Sequence, residues 1–276
     1  MAKEKQVAIL RALSEGMGIR ATERLTDTSR ETVLSLLVRA GEGCERLHDR
    51  LMVNLPCRLL ELDEIWGYVG KHQRFCTEKD DPARVGDFWT WTALDPESKL
   101  VPSYRVGKRD GETANAFVAD LAARLAGRVQ LSSDGLVAYV DAIEKGFGGT
   151  ADYAQVVKDY VAEPAGEGRY SPPRVSHVFK EAINGSPNMR FATTSHVERL
   201  NLSIRMENRR HTRLTLSYSK KLANHKAATA LFFARYNLCR VHHSLRVTPA
   251  MDAGVADHVW SLEELLDSAL AKPEAA

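Results

Sequence analysis

Arg58-Leu59-Leu60-Glu61-Leu62-Asp63-Glu64-Ile65-Trp66-Gly67-Tyr68-Val69-Gly70 is the stretch from which the fold can be read. It alternates with period two. Leu60, Leu62, Trp66 and Tyr68 share one parity, and Glu61, Asp63, Ile65 and Val69 share the other, which predicts a strand from Arg58 to Gly70. Asp63 therefore lies inside a strand otherwise rich in apolar residues. A carboxylate there is costly to bury unless something neutralises it.

Downstream, residues 78–87 form a polar loop. A hairpin follows, with Phe88–Leu94 and Leu100–Val106 as β-rich arms and Asp95-Pro96-Glu97-Ser98 as turn chemistry. Ala114, Phe117, Val118, Leu121 and Leu125 repeat at helical spacing and predict a helix from Gly111 to Leu125. Val129 to Ser132 reads as a short strand running into Ser133-Asp134-Gly135, Leu136 to Phe147 as a helix, and Tyr153 to Asp159 as a strand. The right-handed crossover rule makes the strands of Asp63 and Asp134 parallel if they sit side by side. The second acid then ends its strand near the first. This order of elements reads as an α/β fold with an RNase H-like mixed sheet.

Residues 160–195 carry loop signals at Glu163–Gly168 and Ser171-Pro172-Pro173, and Val175 to Ala182 fits a strand or a short helix equally. Ser195-His196-Val197-Glu198-Arg199-Leu200-Asn201-Leu202-Ser203-Ile204-Arg205-Met206-Glu207 then reads as a helix. At about 100° per residue, Val197, Leu200 and Ile204 fall on one side and Glu198, Asn201, Leu202 and Arg205 on another. From Arg190 to Lys226 nine Lys and Arg face only two acids, whereas from Ala250 onward six acids face one lysine. A local anion-binding surface follows from that asymmetry. A carboxylate in basic company repels phosphate; it makes sense if a metal ion sits between acid and phosphate. Leu222 to Cys239 and Leu262 to Leu270 read as further helices, and the Ala-rich end as a flexible tail. No internal repeat is present.

Upstream, residues 3–47 read as three helices. Val7, Ile9, Leu10 and Leu13 line the first, and Gly16-Met17-Gly18 breaks it. Ile19 to Leu25 is the second. Thr28-Ser29-Arg30-Glu31 resembles a capping box for the third, with Val33, Leu36 and Leu37 inward. Two short helices after a leading one match the helix-turn-helix arrangement, and Arg30, Thr32, Ser35 and Arg39 suit phosphate and base-edge contacts. A plain three-helix packing bundle is the competing interpretation. Arg46 to Pro56 reads as a linker or short helix.

Composition sets the outer limits. With 276 residues and 44% hydrophobic content, the chain can bury a sizeable core and is not disordered wholesale. No apolar run approaches the roughly 18 residues of a membrane span, and Met1–Lys5 leads into an amphipathic stretch rather than a signal-peptide core. The four cysteines, Cys44, Cys57, Cys76 and Cys239, form no CxxC pair. That argues against a zinc ribbon or disulfide framework and fits a reducing cytoplasm.

Asp63, Asp134 and Glu198 are thus three carboxylates from a strand, a strand end and a helix, the ingredients of phosphoryl transfer with two metal ions. Their local wording is specific. Leu62-Asp63-Glu64-Ile65-Trp66, Ser133-Asp134-Gly135, Val197-Glu198-Arg199-Leu200-Asn201, Asn208-Arg209-Arg210, Ala234–His242 and Ser244–Ala250 closely resemble the motifs of DDE transposases of the insertion-sequence-one family. The resemblance runs over nearly the whole chain. It implies an N-terminal helix-turn-helix domain over 1–50, an RNase H-like catalytic domain over 57–215, and a C-terminal helical region over 216–276. It implies that Asp63, Asp134 and Glu198 are both catalytic and the ligands of two Mg²⁺ (or Mn²⁺) ions, with no other cofactor. It implies terminal-inverted-repeat binding, strand cleavage and strand transfer. The partners would be double-stranded DNA of the element ends and target, and further copies in a dimer or larger synaptic assembly, with no membrane, in a bacterial, nucleoid-associated cytoplasmic setting. Asn201, Arg205, Arg209, Arg210 and Arg213 join the helix-turn-helix residues as DNA contacts, with Asn201 and Arg205 fitting equally a place behind the metal ligands that orients them. A cysteine-rich zinc segment found in some relatives is missing, and His211 stands where an aromatic residue is expected.

Alternative functions are an RNase H-like nuclease or resolvase without strand transfer, and a helix-turn-helix regulator. Glu207 competes with Glu198, but nine residues put them about 180° apart on the helix. Glu64 and Asp95 read as solvated or turn residues. Trp66, Trp89 and Trp91 read as sheet core rather than base-stacking platforms. His242 and His243 read as structural or DNA-contacting, because adjacent side chains diverge.

Overall fold

The structure, a computed structural model, describes residues 1–161 and 174–271. The loop signals at 163–168 and 171–173, and the tail from 272, lie outside the described residues. The alternation of the opening stretch produces β1 (Leu59–Val69). Around it lie β2 (Gly86–Leu94), β3 (Tyr104–Gly107), β4 (Val129–Ser133), β5 (Ala151–Val161) and β6 (Arg174–Asn184), in the order β3-β2-β1-β4-β5-β6. β1 is antiparallel to β2 and parallel to β4; β4 is parallel to β5, and β5 antiparallel to β6. The expected parallel pairing of the two acid-bearing strands is present, with Leu60 opposite Leu131. The undecided stretch 175–182 is strand, because β5 supplies its ladder.

The two parities of β1 face two different layers. Leu60 and Leu62 join a core with Trp91, Phe117 of α4 (Gly111–Arg124) and Tyr139 of α5 (Val137–Phe147). Ile65 instead packs with Val197, Leu200 and Ile204 of α6 (Ser195–Glu207) and Phe232, Phe233 and Tyr236 of α7 (Leu222–Leu238). A mixed sheet with helices on both faces results. The arm expected from Leu100 pairs only from Tyr104. Leu100 to Ser103 runs buried beside α7, where Asn237 accepts from Val101 N at 3.0 Å and donates to its carbonyl at 3.0 Å.

At the N-terminus stand α1 (Lys3–Ser14), α2 (Ile19–Thr26) and α3 (Arg30–Leu51). The cap of α3 is Ser29, not Thr28: its hydroxyl accepts from Thr32 N at 3.3 Å. Of the stretch 46–56, read as a linker or short helix, residues 46–51 continue α3, because Leu47 and His48 are buried. A Cβ on Gly41 would sit 2.4 Å from Ala227 Cα, and one on Gly43 2.8 Å from Ala269 Cα. These glycines let α3 lie directly against α7 and α9 (Leu262–Leu270). The N-terminal helices, α7, α9 and one face of the sheet consequently share one apolar core.

Candidate active site

β1 brings three acids to the centre of the molecule. Asp63 projects toward α6. Its Oδ2 accepts from Asn201 Nδ2 at 2.7 Å and its Oδ1 from Glu64 N at 2.9 Å. Burial pushes the Asp63 carboxyl up to about 7, and Glu64, Asp134 and Glu198 add to the rise, against the pull of the Glu64 N–H. Acids of β1, the end of β4 and α6 thus act electrostatically on Asp63.

Asp134 follows the last residue of β4, with Oδ1 accepting from Leu136 N at 3.0 Å. Glu198 sits in the first turn of α6, paired with Lys158 of β5 and accepting from Thr194 Oγ1 at 2.7 Å. Glu207 is differently engaged: Arg235 holds it at 2.7 Å and Arg240 at 2.6 Å. Its role in the fold is an ion pair between α6 and the α7 region.

Two contacts here were not legible from the sequence. Glu61, two residues before Asp63, is buried and receives His196 N at 2.8 Å, Val197 N at 3.0 Å and His196 Nδ1 at 2.7 Å. It holds the N-terminus of α6 onto β1 and so fixes Glu198 and Asn201 relative to Asp63. The signal that could have found it is its shared parity with Asp63. Glu64, expected in solvent, is buried. Arg109 Nε donates to it at 2.7 Å and Tyr139 OH at 3.0 Å. Burial and Asp134 raise its pKa, while Arg109 and Tyr139 lower it. Arg109 also reaches within 3.8 Å of Asp134 and so links the two acids. Asp95 is a turn residue, accepting from Glu97 N and Ser98 Oγ at 2.8 Å each.

Oxygen donors surplus to local positive charge are the chemistry a hard divalent cation requires. Among the described residues, however, no group of three or more His, Cys, Asp or Glu side chains stands close enough to hold an ion. The reason is visible: Glu198 is turned onto Lys158, Glu64 onto Arg109 and Asp63 onto Asn201. The donor set fits a divalent cation in the chemistry of its oxygens, and Lys158 occupies Glu198 in this arrangement.

The helical wheel placed Asn201 beside Glu198, but i, i+4 and i+7 from Val197 put it in the buried stripe, and its amide is committed to Asp63. Arg30, Thr32, Ser35 and Arg39 are exposed on α3, with Arg30 paired to Glu31 at 2.8 Å and Thr32 Oγ1 against Ser29 Oγ at 3.0 Å. Arg213 is exposed. Arg205 is half-buried, its pKa lowered by burial and by Arg213 while Asp63 opposes. Arg209 Nε donates to Ser217 Oγ at 3.3 Å. A groove of about 1180 Å³ runs between α1–α3 and the segment after α6, lined by Arg20, Arg24, Arg30, Arg209, Arg210 and Lys220. On its wall, the buried Asn208 Nδ2 and Arg210 Nη2 find no acceptor among the described residues. Burial lowers the pKa of Arg210. Asp63, Asp134 and Glu198 do not line this groove.

His211 is buried, with its ring 4.9 Å from that of buried His225. Burial drives His211 down to about 4 and His225 well below the usual range. A Cβ on Gly67 would come 3.3 Å from His225 Cε1, so the pair is packed against β1.

No protein-family model matches the chain, and no curated protein matches it. Solved structures it matches include the Mos1 transposase paired-end complex with left transposon end and the Mos1 strand transfer complex. Each is 15% identical, with a TM-score of 0.22, over 52% of this chain and 56% of that one. The Mos1 mariner paired end complex with Mn matches at 15% identity and TM-score 0.22 over 49% and 55%. The chain thus spans about half the length of the solved structures it matches. At that TM-score the superposition does not establish a shared fold.

Proposed function

We propose that this chain is a DDE transposase of the insertion-sequence-one type. In this reading it binds the terminal inverted repeats of an insertion element, cleaves the DNA strand there and joins it to a target. The observation that carries the reading is the placement of the acids: Asp63 in β1, Asp134 directly after the parallel neighbour β4, and Glu198 in the first turn of α6, which Glu61 and the Asp63–Asn201 contact hold onto β1. A structural ion pair lowers a carboxylate's pKa; a like-charged cluster raises it and is stabilised by bound cation.

Asp63, Asp134 and Glu198 are the residues that would hold Mg²⁺ or Mn²⁺, two ions in all. Bound divalent cation supplies charge neutralisation at a phosphate and eases deprotonation of the attacking hydroxyl. The chain's own groups set the geometry. Asn201 orients Asp63, Glu61 anchors the helix that carries Glu198, and Arg109 balances Glu64 and approaches Asp134. Residues 1–50, with Arg30, Thr32, Ser35 and Arg39, take the role of end recognition. Residues 57–215 form the RNase H-like catalytic unit, and 216–276 buttress it. Arg205, Arg209, Arg210 and Arg213 serve the phosphate backbone. Synapsis of two ends calls for a dimer or larger assembly acting on double-stranded DNA in the cytoplasm.

The test is a supercoiled plasmid carrying paired candidate ends, incubated with protein and Mg²⁺. Joined products support a transposase; nicks alone indicate an RNase H-like nuclease; no metal-dependent product overturns both.

A further inference from the structure

Trp66, Trp89 and Trp91 were expected together in the sheet core, yet only Trp91 is fully buried. Trp66 and Tyr68 emerge half-buried on the β1 face that also carries Glu64. The His72 ring stacks on Tyr68 at 3.9 Å and on Trp66 at 5.4 Å, and Tyr218 stacks on Tyr68 at 4.7 Å. All four rings are half-buried rather than enclosed. Phe75, more than half exposed, meets His72 edge-on at 6.3 Å, and the Arg74 guanidinium lies 4.7 Å over it. A contiguous group of rings left partly open to solvent is the kind of surface that meets a partner.

Its position narrows the partner. Trp89 is the cross-strand neighbour of Trp66, and Arg109 lies 4.9 Å over the Trp89 ring while it holds Glu64 and approaches Asp134. On this sheet face, opposite the one from which Asp63 meets α6, Arg109 thus joins Glu64 and Asp134 to the rings. From Glu64 to Tyr68 the surface spans about 13 Å at strand spacing. That length matches roughly three to four nucleotides at about 3.4 Å each along a strand. Cations on the flanks and π-faces between them are the two components that hold single-stranded nucleic acid. A paired duplex keeps its base faces covered by its own stacking, so these rings have nothing to grip on it.

We propose that the Trp66–Tyr68–His72–Tyr218 surface is a stacking platform for unpaired bases of a DNA strand that passes the Glu64–Arg109–Asp134 side of the acids. The proposal rests on the reading of the chain as a DNA-processing enzyme and adds a single-strand subsite to it.

The test uses the full chain in EDTA, so that binding is separate from cleavage. Fluorescence anisotropy compares a blunt duplex with the same duplex carrying a four-nucleotide thymidine tail. Wild type should favour the tailed duplex by roughly tenfold, within the range that base–aromatic stacking supplies. The Trp66→Ala/Tyr218→Ala variant should lose that preference and keep its blunt-duplex affinity. The Trp66→Phe/Tyr218→Phe variant, which keeps two π-faces and guards against misfolding, should retain most of it. Short oligothymidine should also quench wild-type tryptophan fluorescence more than that of Trp66→Phe. Equal affinity of wild type for blunt and tailed duplex, or an alanine variant with an unchanged preference, overturns the platform alone. Failure to bind any DNA overturns the platform and the DNA-processing reading together.

Discussion

Replacing Glu61 by alanine should loosen the helix that carries Glu198 without touching any proposed metal ligand. The Glu61 carboxylate is buried and accepts three hydrogen bonds: two from backbone N–H groups in the first turn of α6 and one from the His196 ring. Hydrogen bonds to a charged group contribute about 1.5–3 kcal/mol each. The first turn of α6 is partly exposed at Ser195 and His196, so water recovers part of the loss. A net destabilisation of about 3 kcal/mol is expected, which for a chain of this size lowers the melting temperature by roughly 6–12 °C. Glu61→Gln keeps an acceptor and should lose about half as much. The assay is a circular-dichroism melt in EDTA, followed by single-turnover cleavage at a temperature where both proteins are folded. Cleavage should fall by about a hundredfold, because displacement by an ångström at a reacting centre has effects of that order. A Glu61→Ala protein that melts within about 2 °C of wild type and cleaves normally would refute the anchoring role.

Other expectations follow from the same interactions. Asp63 has a folded pKa near 7, above its unfolded value, so its charged form disfavours the metal-free fold as pH rises from about 4 through 7. Asp63→Asn should therefore melt above wild type at pH 8 in EDTA, with the gap closing toward pH 4; a pH-independent gap contradicts this. His211 and His225 are neutral in the fold and protonate at lower pH than in the unfolded chain. Stability should fall as pH drops below about 6.5, and His225→Phe should flatten that limb of the melting-temperature profile. Glu198→Gln should abolish cleavage with little change in melting, whereas Glu207→Gln should lower melting by releasing Arg235 and Arg240 and leave cleavage measurable; the reverse pattern would exchange their roles. Arg30→Ala/Arg39→Ala should weaken end binding and reduce the salt slope of log affinity by about 2, one for each phosphate no longer neutralised, and an unchanged slope would place the binding surface elsewhere.

Period-two alternation made β1 legible, and crossover handedness made its pairing with β4 legible, because both are local rules with few exceptions. The helices Gly111–Arg124 and Leu262–Leu270 emerged for the same reason. Interactions between distant segments left no such trace. Parity placed Glu61 on the face of Asp63 but could not name the backbone 135 residues away that it binds, and Glu64 gave no sign of its Arg109 and Tyr139 partners. Strand β6 was ambiguous because its pattern is explained only by the neighbour that pairs with it. The last turn of α3 was left open because Arg46 to Pro56 is polar and fits a linker as well as a short helix, whereas in the fold Leu47 and His48 are buried and Gly41 and Gly43 admit α7 and α9. Asn201 was misplaced on the α6 wheel because an amide in an apolar stripe is justified only by a buried acid opposite it.

The central claim is that Asp63, Asp134 and Glu198 act together on DNA phosphates. Strand transfer of pre-cut candidate ends into a supercoiled target, in Mg²⁺ with and without EDTA, tests it most directly when run beside Asp63→Asn, Asp134→Asn and Glu198→Gln. Joined product from wild type in Mg²⁺ alone, and none from any of the three variants that still bind the ends, is the predicted result. Joined product in EDTA, or wild-type yield from any one variant, would contradict the account.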